Sequence, residues 1–253
     1  MQGPPQTGPR ALLSGMLRQA LPASLRLRLR KWRLGLGVPP VGGVDFGDLA
    51  RTTPIAPHYG YLRGGAVDRY YIEGFLARRG ADIRGRVLEV ATAIYARAYG
   101  QGVSQVDELD SIPGPNVAFA GDIGTEGLLP SDAFDSIVFT QTLQYVFEPA
   151  VAVAQLYRAL KPGGVLLATI PVITPLEPGD NGWLWTFTPK VARRLFHATF
   201  GAENCSIEIH GNVFAATCYL HGIVVEDIDT KMLEPVDECY PVTIAIRAVK
   251  RAA

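Results

Sequence analysis

The chain is poor in the residues that would mark several common functions. It has three cysteines in 253 residues, Cys205, Cys218 and Cys239, an odd number with no CxxC spacing. That excludes a disulfide scaffold and a zinc ribbon, and it fits reduced thiols in a cytoplasmic protein. Asn204-Cys205-Ser206 matches a glycosylation sequon, which in that compartment is chance. No apolar run approaches the ~18 residues of a membrane span. The start lacks a long apolar stretch with a small-residue cleavage site, so no signal peptide is expected. No metal-ligand cluster, Gly-x-Ser-x-Gly elbow, phosphate loop or internal repeat is present. The formal net charge is zero, which argues against broad nucleic-acid binding.

The charge is nevertheless unevenly placed. Residues 1–50 carry seven Lys/Arg against Asp45 and Asp48, a surplus that the acidic remainder cancels. After a Pro/Gly/Gln-rich start, Leu12, Leu13, Met16, Leu17, Ala20 and Leu21 share a helical face until Pro22. Leu25, Leu29, Trp32 and Leu36 share a second face, opposite Arg26, Arg30 and Arg33. Two short basic amphipathic helices follow from this pattern. They pack on the domain or on a second protomer, or attach to an anionic membrane surface or an acidic partner. Val38 to Pro57 is a Gly/Pro linker, giving an arm over residues 1–57 and a domain over 58–253.

The most informative stretch is Ala133 to Pro171. Phe134 to Thr140 is an apolar run, Pro149 to Leu160 a helix, Lys161-Pro162-Gly163-Gly164 a break, and Val165 to Ile170 a second apolar run. Two near-continuous apolar strands around a crossover helix indicate parallel strands buried on both faces. Upstream, Arg86 to Val90 is a first core strand, Val103 to Asp107 a brief second one ending in an acid, and Val117 to Ala120 a third. Downstream, Thr188 and Pro189 start a helix through Phe200. Ile207 to His210 and Val242 to Ala248 alternate as the last strands, with a helix from Phe214 to Glu226 between them. Asp68 is placed to cap a helix whose apolar face holds Ile72, Phe75 and Leu76.

The strand that begins with Phe134-Asp135, the loop after it and the Leu160-Lys-Pro-Gly-Gly turn resemble the later half of class I S-adenosylmethionine (SAM)-dependent methyltransferases. The segment Tyr59 to Gly80, with Arg69-Tyr70-Tyr71-Ile72-Glu73, resembles a type 11-like subgroup associated with sugar and polysaccharide biosynthesis. In that subgroup the segment closes over the cofactor. The resemblance implies an α/β, Rossmann-like, seven-stranded, mostly parallel sheet with an antiparallel last strand and helices on both faces. It implies SAM as cofactor and a small acceptor, a sugar or glycan hydroxyl, with a homo-oligomer possible. Arg69 and Tyr70 then close over the cofactor, and Glu89, Ala91 and Thr92 form its loop. Asp107 faces the ribose, and Asp122 and Ile123 the adenine. Thr140 and Gln141, with the rest of the run to Tyr145, line the site beyond the fourth strand. Trp183, Trp185 and Phe187 resemble an acceptor lid, alternatively an aromatic packing hinge.

Two departures from the family pattern bear on activity. The three glycine slots after the first strand hold Ala91, Ala93 and Tyr95, which removes easy access to φ > 0. The absence of Gly-x-Gly-x-x-Gly there also argues against a nicotinamide dehydrogenase. Gln144 stands where the subgroup commonly has His, and an amide is no general base. Gln144 and His210 are the candidate catalytic residues; His210, like His221, reads equally as a structural histidine. A non-methylating protein of the same fold, with a binding or scaffold role or another reaction, stays open.

Overall fold

The computed structural model describes residues 39–177 and 182–252. The chain divides into two units, Met1–Ala50 and Arg51–Ala253. Of the first, residues 39–50 are described; they are largely exposed and hold one 3-10 turn, Gly47–Leu49. The two helices expected before residue 37 lie outside the described residues.

The second unit runs α1 (Val67–Arg78), β1 (Gly85–Val90), α2 (Tyr95–Tyr99), β2 (Val103–Asp110), β3 (Val117–Ala120) and β4 (Phe134–Thr140). It continues with α3 (Pro149–Ala159), β5 (Leu160–Pro171), α4 (Pro189–Phe200), β6 (Cys205–His210), α5 (Val213–His221) and β7 (Thr243–Val249). One sheet of seven strands is ordered β3-β2-β1-β4-β5-β7-β6. The pairs from β3 to β5 are parallel, and β7 runs antiparallel to both β5 and β6. This is the expected Rossmann-like fold.

Alternation along the strands builds a core on each face. Val87, Val138, Leu167 and Ala245 pack under Ile72, Phe75 and Leu76 of α1 and Tyr95 of α2. Leu88, Ile137, Leu166 and Ile246 face Leu156 of α3 and Phe196 and Phe200 of α4. Each such Val, Leu, Ile or Phe side chain, fully buried, contributes roughly 1.5–3 kcal/mol. The break after α3 is a close approach: a Cβ on Gly164 would lie 2.9 Å from the Lys161 carbonyl oxygen and 3.1 Å from that of Phe134.

Three local expectations change. Asp68 does not cap α1: Ala66 is the N-cap, and Asp68 is buried in the first turn. The helix expected through Glu226 stops at His221, because Gly222 turns left-handed at φ +63 with Ala56 pressed against it. And β2 runs to Asp110 instead of ending at Asp107. Its acids look like turn residues, yet each is satisfied in place. Asp107 accepts from Arg86 Nε at 2.6 Å and Gln105 Nε2 at 2.7 Å, and Glu108 accepts from the Ala93 N–H at 3.0 Å.

Candidate functional site

Ligands of open parallel sheets bind beyond the carboxyl ends of the strands. An open cleft of about 870 Å³ lies there, at the ends of β1, β2 and β4 and beside the turn after β3. Its size suits a nucleoside-sized ligand, since such sites span ~300–1,000 Å³.

The loop after β1 forms one wall. Ala91 holds φ +58, the left-handed conformation that glycine serves, although it carries a Cβ. The bend is fixed by the Ala91 N–H donating to the Leu109 carbonyl at 2.8 Å. Glu89, 1% exposed, accepts from the Tyr95 N–H at 2.8 Å and the Ala96 N–H at 2.7 Å. Burial pushes the Glu89 carboxyl above the ordinary carboxylate range, and the Ala96 and Tyr95 N–H bonds pull it back. Glu89 is therefore spent on holding the loop and does not line the cleft. Tyr95 turns its ring into the core, and its hydroxyl takes a 2.5 Å bond from Arg69 Nη1, which holds Arg69 at the cleft edge.

At the end of β2 the cleft is lined by Asp110, Ser111 and Ile112. Asp107, three residues earlier, is bound to Arg86 and does not reach the cleft; this corrects the position expected for the ribose acid. Asp110 Oδ1 accepts from the Ile112 N–H at 3.1 Å. After β3, Asp122 and Ile123 line the cleft as expected, Asp122 Oδ1 also closing a turn with the Gly124 N–H at 2.8 Å. Thr140, Gln141, Thr142, Tyr145 and Val146 form the wall after β4. Gln141 has φ +45, and its side-chain Nε2 is buried without a partner. A bulky residue held in that region stores strain where a ligand would sit.

Of the expected residues, the fold brings Arg69, Ala91, Thr92, Asp122, Ile123, Thr140 and Gln141 together around the cleft. Others fall elsewhere. Tyr70 packs against Tyr71 at 5.5 Å. Gln144 is fully buried beneath the wall; its carbonyl accepts from the Leu184 and Trp185 N–H groups. His210 stacks on Tyr71 at 5.5 Å at the end of β6, the far edge strand, and burial lowers its pKa. Neither candidate catalytic side chain lines the cleft. In the aromatic segment, Gly182 and Leu184 line it, while Trp183 packs on Tyr145 and Trp185 donates Nε1 to the Val146 carbonyl at 3.0 Å. Phe187, 3% exposed, belongs to the core beside α4 and is no lid residue.

Asp110 and Ile112 are site residues that the sequence reading does not reach, whereas Tyr145 belongs to the run after β4 that it places at the site. For Asp110 a signal existed: Ser111-Ile112-Pro113-Gly114 is the first turn-forming run after β2, and it places the strand end at Asp110.

Residues 79–168 match the methyltransferase domain family. Among curated proteins, none matches the chain. Solved structures of similar fold include phosphoethanolamine N-methyltransferase 2 of Haemonchus contortus in complex with SAM. It is 14% identical, covering 72% of this chain and 53% of that one, with a TM-score of 0.51. The [4+2]-cyclase SpnF is 20% identical, covering 79% of this chain and 89% of that one, with a TM-score of 0.49. A SAM-dependent methyltransferase of Mesorhizobium loti is 15% identical, covering 73% and 98%, with a TM-score of 0.46. Residues 79–168, about a third of the chain, are thus similar to a methyltransferase domain, and the sheet has the fold of solved methyltransferases.

Proposed function

We propose that this protein transfers a methyl group from SAM to a hydroxyl of a small acceptor, a sugar or glycan. The observation that carries this reading is Ala91. It keeps the left-handed backbone of a glycine slot, so the loop after β1 leaves room for the cofactor's amino-acid end although its glycines are gone. Arg69 and Thr92 stand beside that loop. Asp110 supplies the acceptor that ribose hydroxyls need, and Ile112 and Ile123 give apolar flanks for the adenine, with Asp122 adjacent.

The cofactor supplies an electrophilic methyl group on a sulfonium. The chain's own part is to align an acceptor oxygen with that methyl and to exclude water. Positioning of this kind can account for much of the acceleration. No histidine lines the cleft among the described residues, and Gln144 does not titrate, so the reading relies on orientation more than on a strong base.

The three free cysteines support a cytoplasmic setting, and among the described residues no helix is long and apolar enough to cross a membrane. The basic surplus in the first 50 residues supports contact with an anionic membrane surface, an acidic partner or a second protomer. Calorimetric titration with SAM and S-adenosylhomocysteine tests the reading. Binding of both supports it; no binding of either at millimolar concentration leaves a non-methylating protein of this fold.

A further inference from the structure

Large apolar side chains scattered singly over a surface need no explanation, but grouped they mark a surface that meets something. Here a group gathers at the mouth of the cleft. Ile112 and Leu184 are exposed where they line it, and the adenine would cover Ile112. Outside the lining, Leu62 is 89% exposed and Phe147 68%, with Tyr61 and Trp185 close to half-exposed beside them.

These residues are held outward by their loops. Leu62 follows a turn whose backbone is left-handed at His58 (φ +52) and Tyr59 (φ +59). The Arg63 N–H donates to the Gly60 carbonyl at 2.7 Å, Arg63 pairs with Asp227 at 2.9 Å, and the Gly65 N–H donates to Glu226 at 2.9 Å. A strained and pinned turn thus leaves a leucine almost wholly in water. On the other side, the Leu184 and Trp185 N–H groups bind the Gln144 carbonyl, and the Trp185 ring lies 6.4 Å from that of Phe147. The two loops meet at Glu177, which accepts from the Tyr59 hydroxyl at 3.2 Å and the Tyr145 hydroxyl at 2.9 Å. The turn and the run after β4 therefore form one rim.

We propose that this rim docks on an anionic lipid bilayer, so that the cleft opens toward the membrane. The occupant follows from the chain that leads into the rim. Residues 1–44 hold seven Lys/Arg and no acid, with leucines and Trp32 at helical spacing. A basic segment of that kind is drawn to an anionic surface. The rim adds what the arm lacks. Glu148 and Glu177 are exposed there, so it brings no attraction by charge. It brings Tyr61 and Trp185, aromatic rings with a polar atom each, which suit the boundary between lipid and water, and beside them Leu62 and Phe147 to enter the lipid. The arm supplies the attraction, and the rim decides which face meets the bilayer. The proposal goes beyond the methyl-transfer reading and does not rest on it.

The test is sedimentation of the full chain with phosphatidylcholine vesicles containing about 30% phosphatidylglycerol, and with phosphatidylcholine alone as the contrast. The mixed vesicles should bind the protein, the neutral ones far less, and added salt should weaken binding. Leu62→Glu and Phe147→Glu should each lower partitioning about tenfold, as expected when an inserted apolar side chain is lost. Neither residue lines the cleft, so both variants should keep the wild-type S-adenosylhomocysteine affinity and melting temperature. Hydrogen–deuterium exchange of wild type, which needs no variant, should slow at residues 60–63 and 146–148 when mixed vesicles are added. No sedimentation with the mixed vesicles, or equal sedimentation with both, overturns the inference. So does full binding by both variants with no slowing at those residues, because the arm then binds alone. A wild-type dimer that Leu62→Glu splits, with vesicle binding unchanged, overturns it in favour of a second copy on the rim. If wild type binds no S-adenosylhomocysteine, the methyl-transfer reading fails while the vesicles still decide this one.

Discussion

The two ends of the site solve opposite problems with similar residues. At the β1–β2 end, buried carboxylates are fully used by the fold: Glu89 holds two backbone N–H groups and Glu108 holds that of Ala93. At the β4–β5–β7 end, the buried hydroxyls of Thr169 and Thr243 hold nothing in the fold. A polar group with protein partners stabilises the native state, and one without them costs stability. The first end is thus built as a rigid cradle. The second is built at a cost that function would have to justify. Substitutions should therefore act with opposite sign at the two ends.

The largest effect should come from Glu89→Ala. It strands two N–H groups at the start of α2 and should lower unfolding free energy by about 2–4 kcal/mol in urea denaturation. A neutral result would mean that the loop after β1 holds its bend without Glu89. Next is Asp110→Ala, which should weaken S-adenosylhomocysteine by about 1.5–3 kcal/mol, roughly ten- to a hundredfold. Asp107→Ala should leave that affinity within about twofold and lower stability instead, because its partners are Arg86 and Gln105. An exchange of those two outcomes would return the ribose role to Asp107.

At the other end, Asp68→Asn should raise the melting temperature at neutral pH by ~3 °C, about 1 kcal/mol for a domain of this size. Burial raises the Asp68 carboxyl above its usual range, partly countered by Arg69 and the Tyr219 hydroxyl. An acid raised on folding adds stability that is full below its unfolded value, near ~3.9, and lost as pH rises through the folded value. Wild type should therefore lose stability relative to the Asn variant as pH rises above that range, measured by melting curves across pH. Parallel curves would show that Asp68 does not titrate in this way. The smallest effect belongs to Ala91→Gly. Relief of the left-handed alanine, less the chain entropy of glycine, should stabilise the fold by about 0.5–1 kcal/mol without weakening S-adenosylhomocysteine.

The same contrast governs what could be read from the chain. Periodic apolar runs gave β3 and β4 to the residue, and Thr188-Pro189 gave the start of α4, because those signals are local. The end of β2 was obscured because Asp107, Glu108 and Asp110 look like turn residues until the partners that bury them are known. Ala91 looks like a lost glycine, and only its backbone angle shows that the slot keeps its shape. The unpartnered hydroxyls of Thr169 and Thr243 could not be read at all. They come from two separate strands, brought together by register, and sequence spacing holds no trace of that.

Hydrogen–deuterium exchange with and without SAM tests the central claim, that the cofactor lies in the cleft over β1, β2 and β4. The account predicts slowed exchange in residues 90–96, 109–113, 121–125 and 140–146, with residues 205–210 of the far edge strand unchanged. Binding with protection elsewhere, or no protection at saturating SAM, would contradict it.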